Sequence, residues 1–199
     1  MFTKYKEFMQ QHISLNFIEW NIVKSKLKIE YYKKGDIIHN IGDLCTKLIF
    51  INNSLARGFI IDENGKDNTW SIYFNDKDSH MTNLFAVDYE SFINQTASKL
   101  EIVALEDCEV VATSFKDIEF IYNNTKKGDR FGRLMSQEAY SFLHNLIIQR
   151  QTLTAKERFE NFIDETPYLL DKVPQYHIAT FLGITPQHLS RLKKENFKI

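Results

Sequence analysis

PQYHIATFLGITPQHLSRLKK, residues 174–194, is the stretch from which the rest of the chain can be read. Ile178 and Leu182 stand four apart and place their side chains on one face of a short helix. Ala179 is small enough to let a second helix cross closely. Gly183 follows, where a left-handed backbone ends a helix at least cost. Ile184 plugs the turn, Thr185 can cap a second helix, and Pro186 suits that helix's first position. Leu189 and Leu192 then bury its inner face. The spacing predicts a helix-turn-helix with helices over about 174–182 and 186–195. An ordinary helical hairpin with a solvated basic face is the alternative, but the Ala–Gly–Ile–Thr–Pro order is more specific than amphipathicity requires.

The outer face of the second helix carries Gln187, His188, Ser190, Arg191 and Lys194. Gln and Arg can make paired hydrogen bonds to adenine and guanine edges, while Ser and Lys commonly contact phosphates. Within 174–199, Arg191, Lys193, Lys194 and Lys198 against Glu195 leave a local charge of +3. The whole chain carries −1, so any affinity for nucleic acid must come from such a local face.

Upstream, Thr154 and Glu157 form a capping box for a helix Ala155–Glu165, which Pro167 stops. Residues 127–152 read as one long helix, extending about 39 Å, with Phe131, Leu134, Met135, Phe142, Leu146 and Ile147 along one side. That stripe resembles a helix–helix seam; packing on the preceding domain is the other possibility. Lys116–Tyr122 makes a short helix. From about 28 to 115, short runs rich in Ile, Phe, Tyr and Val alternate with turn signals such as Lys34-Gly35-Asp36 and Ile41-Gly42-Asp43. This predicts an antiparallel barrel or roll, with last strands Leu100–Leu105 and Glu109–Ser114 and a hairpin at Asn64-Gly65, where both residues tolerate positive φ. Residues 3–26 read as two short helices separated near Ser14 and Asn16.

Composition excludes several classes. With 43% hydrophobic and 26% charged residues, the 199-residue chain has the make-up of a globular protein. Cys45 and Cys108 are too few for a disulfide framework or an ordinary iron–sulfur cluster, which suits a reducing cytoplasm. The polar segment Met1 to Gln11 lacks the core of a signal peptide, and no apolar run of about 18 residues exists, so no membrane partner is expected. The six histidines never form an HxH or HxxxH pair, so neither a metal site nor an enzyme of the metal-binding barrel type is expected.

Three motifs in order resemble one family. Tyr32-Lys-Lys-Gly35-Asp36-Ile-Ile-His-Asn-Ile-Gly42-Asp43, Asp62-Glu-Asn-Gly65-Lys66 and Ile178-Ala-x-x-Leu-Gly-Ile-Thr-x-x-x-Leu-Ser-Arg191 are similar to the cyclic-AMP receptor protein/fumarate-nitrate regulator (Crp/Fnr) family, over about residues 15–199. The resemblance implies an α+β chain with an N-terminal antiparallel β-roll, a long dimerisation helix and a C-terminal helix-turn-helix of winged-helix type. It puts the divisions at 1–125, 126–152 and 153–199. It implies a homodimer that reads pseudo-palindromic double-stranded DNA, with RNA polymerase as a candidate further partner. Thr185, Gln187, His188, Ser190, Arg191 and Lys194 then fall at DNA-facing positions, and Phe131, Leu134, Met135, Phe142 and Leu146 at the dimer seam. Pro186 occupies a place often held by a base-contacting polar residue, which puts the target sequence in doubt. The sequence ends soon after the recognition helix, so no strands are expected beyond it.

The sensor site departs from the family. Cyclic-nucleotide binders there use a Gly-Glu pair and, about ten residues on, an Arg followed by Ser or Thr. Met81-Thr82 and Ser98-Lys99 stand at those places. Without the Arg the bidentate contact to a cyclic phosphate is lost, and Lys99 is no equivalent. A transcription regulator not controlled by cyclic AMP, with no cofactor, is the expected function. The alternative is a small-molecule or nucleotide sensor whose roll binds an unidentified ligand without specific DNA binding.

Overall fold

The computed structural model describes residues 2–76 and 83–197. Two helices, α1 (Thr3–His12) and α2 (Phe17–Lys24), lead into the roll. The break between them is set by Asn16, whose side chain accepts from Glu19 N–H at 2.9 Å while Glu19 reaches back to Asn16 N–H at 2.8 Å. Eight strands follow: β1 (Leu27–Tyr32), β2 (Ile37–His39), β3 (Lys47–Ile51), β4 (Leu55–Ile61), β5 (Asp67–Phe74), β6 (Phe85–Ala86), β7 (Glu101–Ala104) and β8 (Cys108–Ser114). A short helix α3 (Tyr89–Asn94) stands between β6 and β7. The strands make two four-stranded antiparallel sheets, ordered β1-β8-β3-β6 and β2-β7-β4-β5. Their shared interior holds Ile49, Ile51, Tyr73, Leu100, Ile102 and Val110.

The β4–β5 hairpin differs from the expected Asn-Gly turn. Gly65 N–H donates to Asp62 O and Asp62 N–H to Lys66 O, both at 2.9 Å, closing a three-residue loop. Gly65 takes the positive φ of +77°, whereas Asn64 does not. A type I turn followed by a left-handed glycine needs only one such residue. Further along, Phe59 pairs with Thr69 but Gly58 pairs with Ser71, so Trp70 is an extra residue in β5. The bulge shifts the alternation of the strand. Thr69, Ile72 and Phe74 thereby come to the outer face, while Tyr73 joins the interior.

That outer face is covered. After α4 (Phe115–Asn124) and the long α5 (Lys126–Thr152), four helices form a C-terminal unit: α6 (Ala155–Glu165), α7 (Pro167–Lys172), α8 (Gln175–Leu182) and α9 (Pro186–Phe197). Leu55, Ile72 and Phe74 share one core with Phe159, Phe162, Ile178, Leu189 and other residues of this unit. Pro167 does stop α6, but it also begins α7 at its first position, an element the sequence reading lacks. Among its described residues the unit contains no strand, so the wing of the expected winged-helix type is not seen there.

Helices α1, α2, α4 and α5 cover the other sheet, around Tyr5, Met9, Trp20, Phe50, Val111 and Phe131. Gly128 and Gly132, one turn apart, let α5 run against α4. A Cβ on Gly132 would come within 2.3 Å of the Tyr122 ring, and one on Gly128 would meet Ile121 and Thr125. Alanine normally gains about 1 kcal/mol over glycine inside a helix, but overpacking costs about 1–3 kcal/mol, and here the overlap is with a ring held between two helices. Gly132→Ala is therefore expected to lower the urea unfolding midpoint, and the same substitution should cost less when made in a Tyr122→Ala background.

Candidate functional site

Helix α8 ends as the sequence predicts. Gly183 adopts φ +70°, ψ +34°, its N–H donates to Thr180 O at 3.1 Å, and Ile184 N–H donates to Ala179 O at 2.9 Å. These two bonds satisfy carbonyls that a helix end leaves open. Thr185 then caps α9, its hydroxyl accepting from His188 N–H at 3.2 Å, with Pro186 at the first helical position. Ile178, Ala179, Leu182, Leu189 and Leu192 are buried between the two helices and the rest of the unit.

The expected DNA-facing residues lie on the opposite side. Thr185, Gln187, Ser190, Arg191 and Lys194 are exposed, and His188 is half-buried. Arg191 Nε lies 4.0 Å from Glu195 Oε1, both well exposed, a contact too loose and too solvated to hold the guanidinium back. The 12-residue α9 is about 18 Å long, and a major groove admits such a helix.

Two arginines tether α8 to its neighbours. Arg150, on α5, donates to Phe181 O at 3.1 Å, and Arg158, on α6, donates to Leu182 O at 3.1 Å and Leu153 O at 2.6 Å. Cations at helix C-terminal carbonyls are favourable. On its other side α8 meets the roll through a polar cluster that the sequence analysis missed. Arg57, only 2% exposed, donates from Nε to Thr69 Oγ1 at 2.8 Å and from Nη1 to Asp67 Oδ2 at 3.0 Å. Thr69 and Thr180 hydroxyls are 2.8 Å apart, and Tyr176 donates to Asp67 O at 3.2 Å. Burial raises the Asp67 carboxyl, but Arg57 outweighs it and holds the group below its ordinary value. His177 sits beside the pair; burial first, and Arg57 second, push its imidazole below the ordinary 6.5, against a smaller opposite pull from Asp67.

The residues expected at a dimer seam are turned toward their own chain, or mostly so. Phe131 is enclosed by Phe8, His12 and the core over β3 and β8, which corrects its assignment to a surface open to a partner. Met135 packs on the same core, and Phe142 and Leu146 line hollows where α5 meets the roll and the C-terminal unit. Leu134 is half-buried. The exposed apolar side chains of α5 are Tyr140 (72%), Ile147 (52%) and Ile148 (43%). A stripe read at helical spacing could not tell which of the two sides faces the roll.

A cavity of about 450 Å³ lies between the roll and α5. Ile60, Trp70, Leu100, Met135, Phe142 and Leu143 supply much of its apolar lining. Met81 and Thr82 lie outside the described residues. Lys99 is exposed at the rim, while Ser98 is buried and its hydroxyl donates to Asp88 Oδ2 at 2.6 Å.

No protein-family model matches the chain, and no curated protein matches it by sequence. Solved structures do match. FixK2 from Bradyrhizobium japonicum superimposes with a TM-score of 0.71 at 13% identity, over 86% of this chain and 85% of that one. A protein described as a transcriptional regulator of the Crp/Fnr family from Eubacterium rectale gives 0.66 at 19% identity, over 91% and 83%. A CooA variant from Carboxydothermus hydrogenoformans gives 0.65 at 15% identity, over 96% and 88%. The chain thus has the Crp/Fnr fold along most of its length. No helix among the described residues is long and apolar enough to cross a membrane.

The docking cluster has a pH consequence. A histidine whose folded value is depressed gives its full stabilisation only above the unfolded value, near 6.5; below that the unfolded chain takes up the proton first and stability falls. His39, lowered chiefly by burial, acts in the same direction. Thermal unfolding at pH 5.5 should therefore begin at lower temperature than at pH 7.5, and His177→Gln should shrink the difference without abolishing it. An unchanged difference would remove His177 from this account.

Proposed function

We propose that the chain is a sequence-specific DNA-binding transcription regulator that acts as a homodimer on pseudo-palindromic sites and is not controlled by cyclic AMP. The observation that carries this reading is the α8–Gly183–α9 geometry. It fixes the buried face of α9 through Leu189 and Leu192 and leaves Gln187, Ser190, Arg191 and Lys194 free to reach a groove. Gln187 and Arg191 are the base-reading residues in this proposal; Ser190 and Lys194 contact phosphates, and Thr185 and His188 support the approach. Residues 1–125 serve as the sensor-like part, 126–152 as the dimerisation helix and 153–199 as the DNA-binding part.

The Crp/Fnr fold supports the reading, as does the description of the Eubacterium rectale protein as a transcriptional regulator. A second copy would meet the exposed side of α5, along Tyr140, His144, Ile147 and Ile148, where Tyr140 and His144 already stack with centroids 6.0 Å apart. To read a two-fold symmetric site, such a pair must hold its two recognition helices roughly one DNA turn, 34 Å, apart.

Selection from a random duplex pool at moderate salt should enrich a two-fold symmetric site; enrichment of none would defeat the central claim. Arg191→Ala should weaken binding to that site by about 1–3 kcal/mol and relax one base position. Lys194→Ala should weaken binding to all duplexes alike and lower the salt dependence. For the dimer, the double substitution Ile147→Glu and Ile148→Glu should halve the mass measured by light scattering. A wild-type mass equal to one chain would overturn the homodimer.

A further inference from the structure

We propose that the N-terminal halves of two α5 helices, facing each other in a parallel homodimer, hold one polyphosphate anion between them, and that this anion tightens the pair. The inference rests on the homodimer reading and adds a ligand to it.

The side of α5 turned away from the roll carries one heptad stripe along its length. Lys126, Arg130, Arg133 and Gln137 stand four, three and four residues apart, and the alternation continues into Tyr140, His144 and Ile147. All seven are exposed, whereas Gly128, Phe131 and Gly132 on the other side are buried. The stripe thus has an aromatic and apolar half that suits a second copy, and a basic half that does not. Among the described residues, none of Lys126, Arg130 and Arg133 is held in an ion pair. Lys127, beside the stripe, is by contrast bonded to Glu19 at 2.8 Å, and Glu138 is turned to His12 at 3.4 Å. Asp129 is the one acid between positions 126 and 137.

A second copy pairing in register along Tyr140, His144 and Ile147 sets the two basic halves against each other. Three bases and Asp129 from each copy leave the paired stripe at a net +4. Packed helices lie about 8–10 Å apart, comparable to the Debye length at physiological salt, so this repulsion is only partly screened and opposes the seam. A polyphosphate meets the requirements of the place. Its charge offsets the bases, and guanidinium forks bind phosphate oxygens in pairs. Lys126 and Arg133 are about 10 Å apart along the axis, a ladder that a chain of phosphates can follow and a single small anion cannot span. Inorganic polyphosphate and the phosphate chain of a nucleotide share this chemistry. An antiparallel pair with its Tyr140–Ile148 segments matched would leave the two basic halves at opposite ends and make no such site.

Analytical ultracentrifugation of the full chain, with DNA absent, gives the dimer Kd that tests this. Tripolyphosphate should lower that Kd about tenfold or more relative to sodium chloride of matched ionic strength, and orthophosphate should do less. Titration calorimetry should count one tripolyphosphate per two chains. ATP acting more strongly than tripolyphosphate would support the site and identify a nucleotide as its source; ATP acting equally or less would support it with the phosphate chain alone. The exposed double substitution Arg130→Gln and Arg133→Gln keeps helix propensity while removing charge. It should tighten the dimer in chloride and remove the response to tripolyphosphate. A tripolyphosphate effect no larger than that of matched chloride, a response that survives the double substitution, or a variant dimer weaker than the wild type in chloride would overturn the proposal and leave the homodimer standing. Wild-type chains that stay single in every buffer would instead overturn both.

Discussion

Much of this structure follows from the outer face of β5. Ile72 and Phe74 project away from the roll's interior and would otherwise lie in water as a wide apolar surface. Burying a side chain of that size contributes about 1.5–3 kcal/mol, so the four C-terminal helices have a strong reason to sit there. Once they do, α9 has a fixed address relative to the roll, and the polar groups trapped at the boundary must find one another. Arg57 bonded to Asp67 and Thr69, and Thr69 to Thr180, is the arrangement that results. Such a buried ion pair adds little net stability, but its geometry penalises any other way of seating α8.

The sequence discloses the parts of this scheme that are local. Gly183, Thr185, Pro186 and the leucines of α9 act within one or two helical turns, so their spacing alone suffices, as does the Thr154–Glu157 capping box. The strand runs and turn glycines likewise reveal a roll. What could not be read depends on distant partners. Thr69 and Thr180 are 111 residues apart, and nothing near either of them announces the other. The bulge at Trp70 alters which residues share a face, so the plain alternation from Trp70 to Phe74 gives the wrong company for Thr69. The stripe on α5 is ambiguous for a related reason. Phe131 and Leu146 have the period of a seam, but the roll beside them takes the same period.

The cavity shows the same division between what is inherited and what is specific. A missing arginine was visible in the sequence, and so was the serine that stands at its position. Only the fold reveals that this serine has been turned to the service of Asp88, a residue ten positions earlier that also caps α3. A motif position can thus lose its usual side chain and have the replacement's hydrogen bond taken up within the fold. Low sequence identity to the solved structures fits this picture: the backbone plan is held by apolar layers, while the polar groups within it are free to be reassigned.

The glycine contact of α5 with Tyr122 and the arginine tether of α5 to α8 sit far apart on one rigid rod. Gly132 and Arg150 are separated by about 27 Å of helix at 1.5 Å per residue. A tilt of about 5° pivoting on the glycine would sweep the arginine through about 2 Å, a displacement comparable to the interface shifts by which packed helices change state. Geometry of this kind is a lever: a small angular input beside the roll would arrive, magnified, at the carbonyl by which Arg150 holds the first helix of the helix-turn-helix.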